Sequence, residues 1–158
     1  MRQFTVNEIG HVLSNEEGFV LKIDSKFILA LTGLDGFSHL KIIWWFDEFD
    51  SPEMRSIMQT EKPYKDGPET LGMFATRSPI RPNLLAISVS QVLHIDYENG
   101  LIYVDWIDAN PNTPILDIKP YTPSEDFVST AVVPEWCASW PKSREESGEF
   151  DWENVFNF

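Results

Sequence analysis

The chain has 158 residues, a length that fits one ordinary domain core and excludes a second catalytic domain of normal size. Hydrophobic residues make up 42% and charged residues 23%, the composition of a folded globular chain rather than a disordered one. Twelve Lys and Arg against 25 Asp and Glu leave a net charge of −13, so the global field opposes nonspecific binding to DNA or any other polyanion. A nucleic-acid role requires a local basic site able to overcome that field. The acidity is uneven: residues 72–121 carry a net −2, against −5 before them and −6 after them.

Cys137 is the single cysteine, so no intrachain disulfide forms, which fits a reducing compartment. The longest apolar runs, Phe27 to Leu34 and Leu40 to Phe46, have eight and seven residues. A membrane helix needs about 20. The first residues alternate polar and apolar and lack the continuous apolar stretch of a signal peptide. The expectation is a soluble, cytoplasmic protein with no membrane partner.

Residues 3–13 alternate weakly and start a strand. Lys26 to Leu34 is rich in apolar residues and ends at the turn signal Asp35-Gly36. Leu40 to Phe46 (LKIIWWF) reads as a buried strand. Over residues 51–60, Ser51 is placed as N-cap, Pro52 as first helical residue and Glu53 at the positive end of the dipole, predicting a short helix. Residues 61–71 hold two Pro and one Gly and are predicted to be loop. Pro79 and Pro82 exclude a helix over residues 72–83. Ala86 to Ile95 and Leu101 to Ile107 alternate on either side of Glu98-Asn99-Gly100, the strongest hairpin signal in the chain. A short strand follows at Ile115 to Ile118, and a helical turn at 134–140. Residues 141–149 are charged and predicted to be mobile. The last nine residues, FDWENVFNF, are acidic yet hold four aromatics, which predicts that they dock on something. The tally is mainly β with a few short helices: a small single-domain β-barrel over residues 1–133 and an acidic, aromatic C-terminal extension over 134–158. No glycine spacing matches a Rossmann or P-loop fingerprint.

Two segments concentrate chemistry. In Gly72-Met-Phe-Ala-Thr-Arg-Ser-Pro-Ile-Arg-Pro-Asn83, a proline-stiffened loop holds Arg77 and Arg81, the only basic residues between Lys65 and Lys119. Two guanidiniums on a stiff loop are preorganised for a carboxylate or phosphate, and Thr76, Ser78 and Asn83 add short polar side chains. An ordinary surface loop whose arginines pair with nearby carboxylates explains the composition equally well. In Thr113-Pro-Ile-Leu-Asp-Ile-Lys-Pro-Tyr121, strand periodicity puts Asp117 and Lys119 on one face, with Tyr121 at the strand end. Alone, that pair reads as a surface ion pair worth under about 1 kcal/mol. His11, His39 and His94 have no metal-ligand spacing, so no metal site is expected. Trp44, Trp45 and Trp106 are assigned to the core rather than to base-stacking platforms, and Cys137 to a buried thiol.

The combination of GMFATRSPIRPN and, about 30 residues on, TPILDIKPY closely resembles the TsaA-like (TrmO-like) family, whose characterised members are S-adenosylmethionine-dependent methyltransferases acting on tRNA. Leu34-Asp-Gly-Phe-Ser-His-Leu40 before the apolar IIWWF extends the resemblance, which spans roughly residues 30–123. It implies a small β-barrel rather than a Rossmann-type fold. It also implies a homodimer with S-adenosylmethionine near the subunit interface, and methylation of threonylcarbamoyl-adenosine beside the anticodon. On that basis Arg77, Ser78, Arg81, Pro82, Asn83 and His39 are assigned to cofactor binding, and Asp117, Lys119 and Tyr121 to the catalytic set.

Three departures stand out. The family's R-P-N-P-I-G-L-S reads Arg81-Pro-Asn-Leu-Leu-Ala-Ile-Ser88 here, so Leu84 replaces a proline and Ala86 a glycine. The usual D-G-T-P reads Pro111-Asn-Thr-Pro114. An upstream Arg-Gln element is replaced by residues 16–26. Two alternative readings stand beside it. One is a methyltransferase that keeps the barrel and cofactor site but acts on a small molecule or another related substrate, favoured by the acidic charge and the altered Arg81–Ser88 run. The other is a non-catalytic S-adenosylmethionine- or protein-binding module, with the changes at 84 and 86 as marks of a degraded site.

Overall fold

The computed structural model describes residues 2–16 and 18–158. Met1, the start of the N-terminal stretch, and Glu17, in the 16–26 segment, lie outside the described residues. The chain forms two compact units, one from Met1–Asp50 with Leu84–Phe127, the other from Ser51–Asn83 with Val128–Phe158.

The first unit is a closed barrel of six antiparallel strands. They are β1 (Gly10–Asn15), β2 (Gly18–Ile23), β3 (His39–Trp45), β6 (Leu85–Asp96), β7 (Leu101–Val104) and β8 (Pro114–Pro120), in the order β1-β2-β7-β6-β3-β8 and closing from β8 to β1. Closure leaves no sheet edge to pair with another chain. Alternation sets the two faces: along β3, Leu40, Ile42 and Trp44 are buried while His39, Lys41, Ile43 and Trp45 are on the other face. The interior is filled by Val12, Leu21, Leu40, Ile42, Ile102 and Ile115, among others. Trp44 satisfies its indole N–H inside the barrel by donating to Ser88 Oγ at 3.0 Å. Among the described residues, no helix is long and apolar enough to cross a membrane.

Several elements differ from the sequence expectation. The N-terminal strand begins at Gly10 rather than residue 3 and pairs with β2, which the alternation did not single out. The apolar run after Lys26 becomes a 3-10 helix, Ser25–Leu31, that turns only Leu31 fully inward. The Asn99-Gly100 hairpin forms, with Gly100 at φ +65° and Asp96 accepting from the Asn99 backbone and side-chain amides. Its second strand stops at Val104 instead of Ile107. Asp105 Oδ1 accepts from the backbone N–H groups of Gln91 and Trp106, at 2.8 and 2.7 Å, and that breaks the ladder. A short helix α2, Pro123–Asp126, follows β8.

In the second unit, Ser51 caps α1 (Pro52–Ser56) by accepting from Met54 N at 3.2 Å, as its position predicts. The helix then ends four residues early. Residues 59–61 form β4 (Gln59–Glu61), paired with β5 (Thr70–Gly72), so the expected loop at 61–71 is the tip of a small ribbon. Its legs are tied by the Lys62 N–H to Glu69 O bond of 2.8 Å and by a 2.9 Å Lys62–Glu69 ion pair. Helix does enter residues 72–83, but only as one 3-10 turn, Met73–Ala75, upstream of both prolines. The helical turn near 134–140 is Glu135–Cys137. The charged stretch 141–149 carries α3 (Arg144–Gly148), capped by Ser143. The aromatic tail docks inside this unit. Tyr64 stacks on Trp136 at 5.3 Å and meets Trp140 and Phe156 at 5.0 and 5.8 Å; Trp152 packs against Trp140. Backbone bonds Lys65 N–H to Val155 O and Asn157 N–H to Pro63 O fasten the last residues to the ribbon tip. Cys137 is buried there, as expected.

Candidate functional site

The loop after the 3-10 turn at 73–75 is organised by its own short side chains. Thr76, buried, donates its hydroxyl to Met73 O and accepts from the Ser78 N–H; Ser78 Oγ accepts from the Ile80 N–H. With φ fixed at Pro79 and Pro82, little freedom remains. Arg81, half-buried, folds back and donates to the carbonyls of Thr76 and Ser78, both at 3.4 Å. Arg55 donates to Pro82 O at 3.5 Å and holds the far end of the loop. Arg77 and Asn83 are exposed and have no partner among the described residues. The two arginines that the sequence treats alike thus divide: Arg81 staples the loop, and Arg77 presents a free guanidinium. Arg55 was not identified from the sequence, because a basic residue in the last turn of a short helix reads simply as a favourable contact with the helix dipole.

The second motif lies on the outer face of the barrel. The register Lys41↔Lys119 and Ile43↔Asp117 sets β8 beside β3. Lys119 pairs with Asp117 at 2.8 Å, both about half exposed, and this hydrogen bond raises the Lys119 ammonium above its ordinary value. Tyr121 follows the strand; its N–H donates to His39 O at 3.0 Å, and its ring meets the His39 imidazole edge-on at 6.4 Å. Ser38 Oγ lies 2.9 Å from His39 Nδ1. His39, Asp117, Lys119 and Tyr121 are thus brought to one surface of the barrel unit.

Lys41 belongs to that surface and was missed. Two lysines opposite each other on neighbouring strands repel, and here each is matched by its own carboxylate. Lys41 pairs with Asp126 of α2, whose other oxygen accepts from Thr122 N at 2.9 Å. The Lys41 contact is the main reason that the Asp126 carboxyl is held below its ordinary 3.8. The signal was a single lysine inside the apolar run LKIIWWF, the mark of a strand with one wet face. Beside Asp117 runs an open apolar groove of about 400 Å³, walled by Val6, Ile9, Phe27, Ile43, Leu85 and Leu116.

The departures at 84, 86 and 112 have structural answers. Leu84 is fully buried, and Ala86 sits in the barrel core opposite Trp44 with an ordinary negative φ. Both are interior residues. Asn112, at the glycine position of D-G-T-P, adopts φ +71°, the left-handed conformation that Asn tolerates best after Gly. The altered turn therefore keeps the backbone course that delivers Thr113 and Pro114 to β8.

Of the tryptophans assigned to the core, only Trp44 is buried; Trp45 is half-buried on the outer face of β3, because it follows Trp44 in the strand alternation, and donates to Asp50 Oδ2 at 3.0 Å. Trp106 is not core: it is 49% exposed, while its neighbour Ile107 is buried. Among the described residues no cluster of His, Cys, Asp and Glu could hold a metal ion.

The sequence profile of the tRNA-methyltransferase O N-terminal domain matches residues 9–127. A probable S-adenosyl-L-methionine-binding protein of Pyrococcus horikoshii is 33% identical over 81% of this chain and 93% of its own length. The human tRNA (adenine(37)-N6)-methyltransferase is 34% identical over 66% of this chain but only 23% of its own. The crystal structure of TrmO from Pseudomonas aeruginosa superposes with a TM-score of 0.64 at 26% identity, covering 83% of this chain; the chain spans 61% of that solved chain. The chain belongs to the tRNA-methyltransferase O family. With that membership it is a β-barrel methyltransferase of the S-adenosylmethionine-dependent class, built without a Rossmann sheet.

Proposed function

We propose that this protein transfers a methyl group from S-adenosylmethionine to threonylcarbamoyl-adenosine in tRNA and works as a homodimer. The observation that carries the reading is the family match across residues 9–127, which contains both motifs. The donor set fits the cofactor: the free Arg77 guanidinium, with Ser78 and Asn83 on the same stiffened loop, suits the carboxylate of an amino-acid end. Bound there, the cofactor supplies a sulfonium-activated methyl group for in-line displacement. Arg77 and Asn83 bind, and Arg81 with Pro82 keeps the loop in the binding geometry, so that little ordering remains at the moment of reaction. On the barrel face, Lys119 and Tyr121 orient the acceptor, His39 supports the Tyr121 ring, and Asp117 fixes the Lys119 ammonium.

Leu84 and Ala86 are core residues rather than fillers of a ligand site, which supports a catalytic protein over a degraded binding module. The test is incubation with S-adenosylmethionine and tRNA bearing threonylcarbamoyl-adenosine, followed by nucleoside analysis. One added methyl on the threonylcarbamoyl-adenosine is the expected product. Unmodified nucleoside at enzyme excess contradicts the substrate assignment.

A further inference from the structure

The chain has six tryptophans, and five are engaged. Trp44 is in the barrel core, Trp45 is bonded to Asp50, and Trp136, Trp140 and Trp152 form the aromatic core of the second unit. Among the described residues, the indole of Trp106 has neither a ring partner nor a hydrogen bond. Exposure alone does not single Trp106 out, since Phe4, Phe74, Phe127 and Phe158 are more exposed. Trp is the ring type enriched at interfaces, and the way its backbone is held is what distinguishes it.

The exposure is built in. Alternation along β7 buries Ile102 and Val104 and, continued, would bury Trp106. Asp105 breaks the phase by accepting from both Gln91 N and Trp106 N, so Ile107 takes the inward position and Trp106 turns out. Its backbone is then clamped: fully buried Ser90 donates its hydroxyl to Trp106 O at 2.6 Å, and Asp105 N donates to Gln91 O at 3.1 Å. The result is a rigid mount under a free ring. The mount lies in line with the second motif. Gln91 pairs with His39, and His39 O accepts from Tyr121 N. Tyr121, His39, Gln91 and the 105–106 corner form one row across the barrel surface, in steps of about 4.8 Å.

We infer that Trp106 is a stacking platform for an unpaired RNA base neighbouring the methylated nucleotide. The inference rests on the reading of the acceptor as tRNA. Charge is the independent argument. At net −13, with the outer-face Lys41 and Lys119 matched by carboxylates and Lys22 donating to Asn99 O, the barrel offers few cations for phosphate contacts. Base stacking on an aromatic ring works without net charge and tolerates any sequence.

The test compares wild type with Trp106→Ala, Trp106→Leu and Trp106→Phe, using an anticodon stem-loop carrying threonylcarbamoyl-adenosine as methyl acceptor. KM for the RNA is expected to rise roughly five- to hundredfold in the Ala and Leu variants and to stay within threefold in the Phe variant. KM for S-adenosylmethionine and kcat are expected to hold throughout, which also shows that the variants fold. An unchanged RNA KM in Trp106→Ala, or rescue by Leu as complete as by Phe, overturns the stacking role while the tRNA reading stands. No transfer to the RNA by wild type overturns both.

Discussion

Arg81 places two of its donors on the carbonyls of its own loop, whereas Arg77 has no hydrogen-bond or ion-pair partner among the described residues. The two substitutions should therefore differ in kind. Arg77→Ala removes a ligand group and is expected to weaken S-adenosylmethionine binding about tenfold with no change in melting temperature. Arg81→Ala loosens the loop and should weaken binding by a similar factor, with the loss in binding entropy rather than in enthalpy; Arg81→Lys should not restore it, because an ammonium cannot reproduce the fork. Calorimetric titration of the three variants checks both statements. Asp126 sets a pH signature. Its folded carboxyl is lowered by Lys41 and the Thr122 N–H, so the stabilisation is complete above the ordinary 3.8 and is lost as pH falls through the folded value. Melting temperature measured from about pH 6 down to pH 2 should therefore fall more steeply in wild type than in Asp126→Asn. Parallel curves would deny the coupling.

At the scale of elements, the turn entering β8 is the sharpest test of the departures from the family pattern. Asn112 holds φ +71°, where β-branched side chains clash. Asn112→Gly should be nearly neutral in urea denaturation, and Asn112→Val should cost about 1–2 kcal/mol. Much of the barrel was legible. β3, the Asn99-Gly100 hairpin and β8 follow from alternation and turn chemistry, and the Ser51 cap from its position. What was not legible came from long-range partners. β4 and β5 are three residues each and exist because they pair with one another. β7 ends early because a side chain from Asp105 competes for the ladder. Trp106 was misassigned for the same reason: one bulge-like break inverts every later side chain. At the candidate site, the motif residues were legible as types, but the different duties of Arg77 and Arg81, and the presence of Lys41 and Arg55, depend on contacts that no local pattern contains.

At the scale of the molecule, the family match ends at residue 127, yet the segment beyond it is half of the second unit, the one that carries the arginine loop. Its core is aromatic, with Trp140 touching Tyr64, Trp136 and Trp152. Trp140→Ala, at a half-buried ring, should destabilise that unit by about 1–3 kcal/mol, seen as an early transition in thermal unfolding followed by circular dichroism, ahead of the barrel. A single unchanged transition would mean that the tail is dispensable. The central claim is that this acidic barrel is an S-adenosylmethionine-dependent methyltransferase with an intact cofactor site. Calorimetric titration of the purified protein with S-adenosylmethionine and with S-adenosylhomocysteine tests it most directly. The account predicts saturable binding of both, weakened by Arg77→Ala. Absence of binding at millimolar ligand would contradict it.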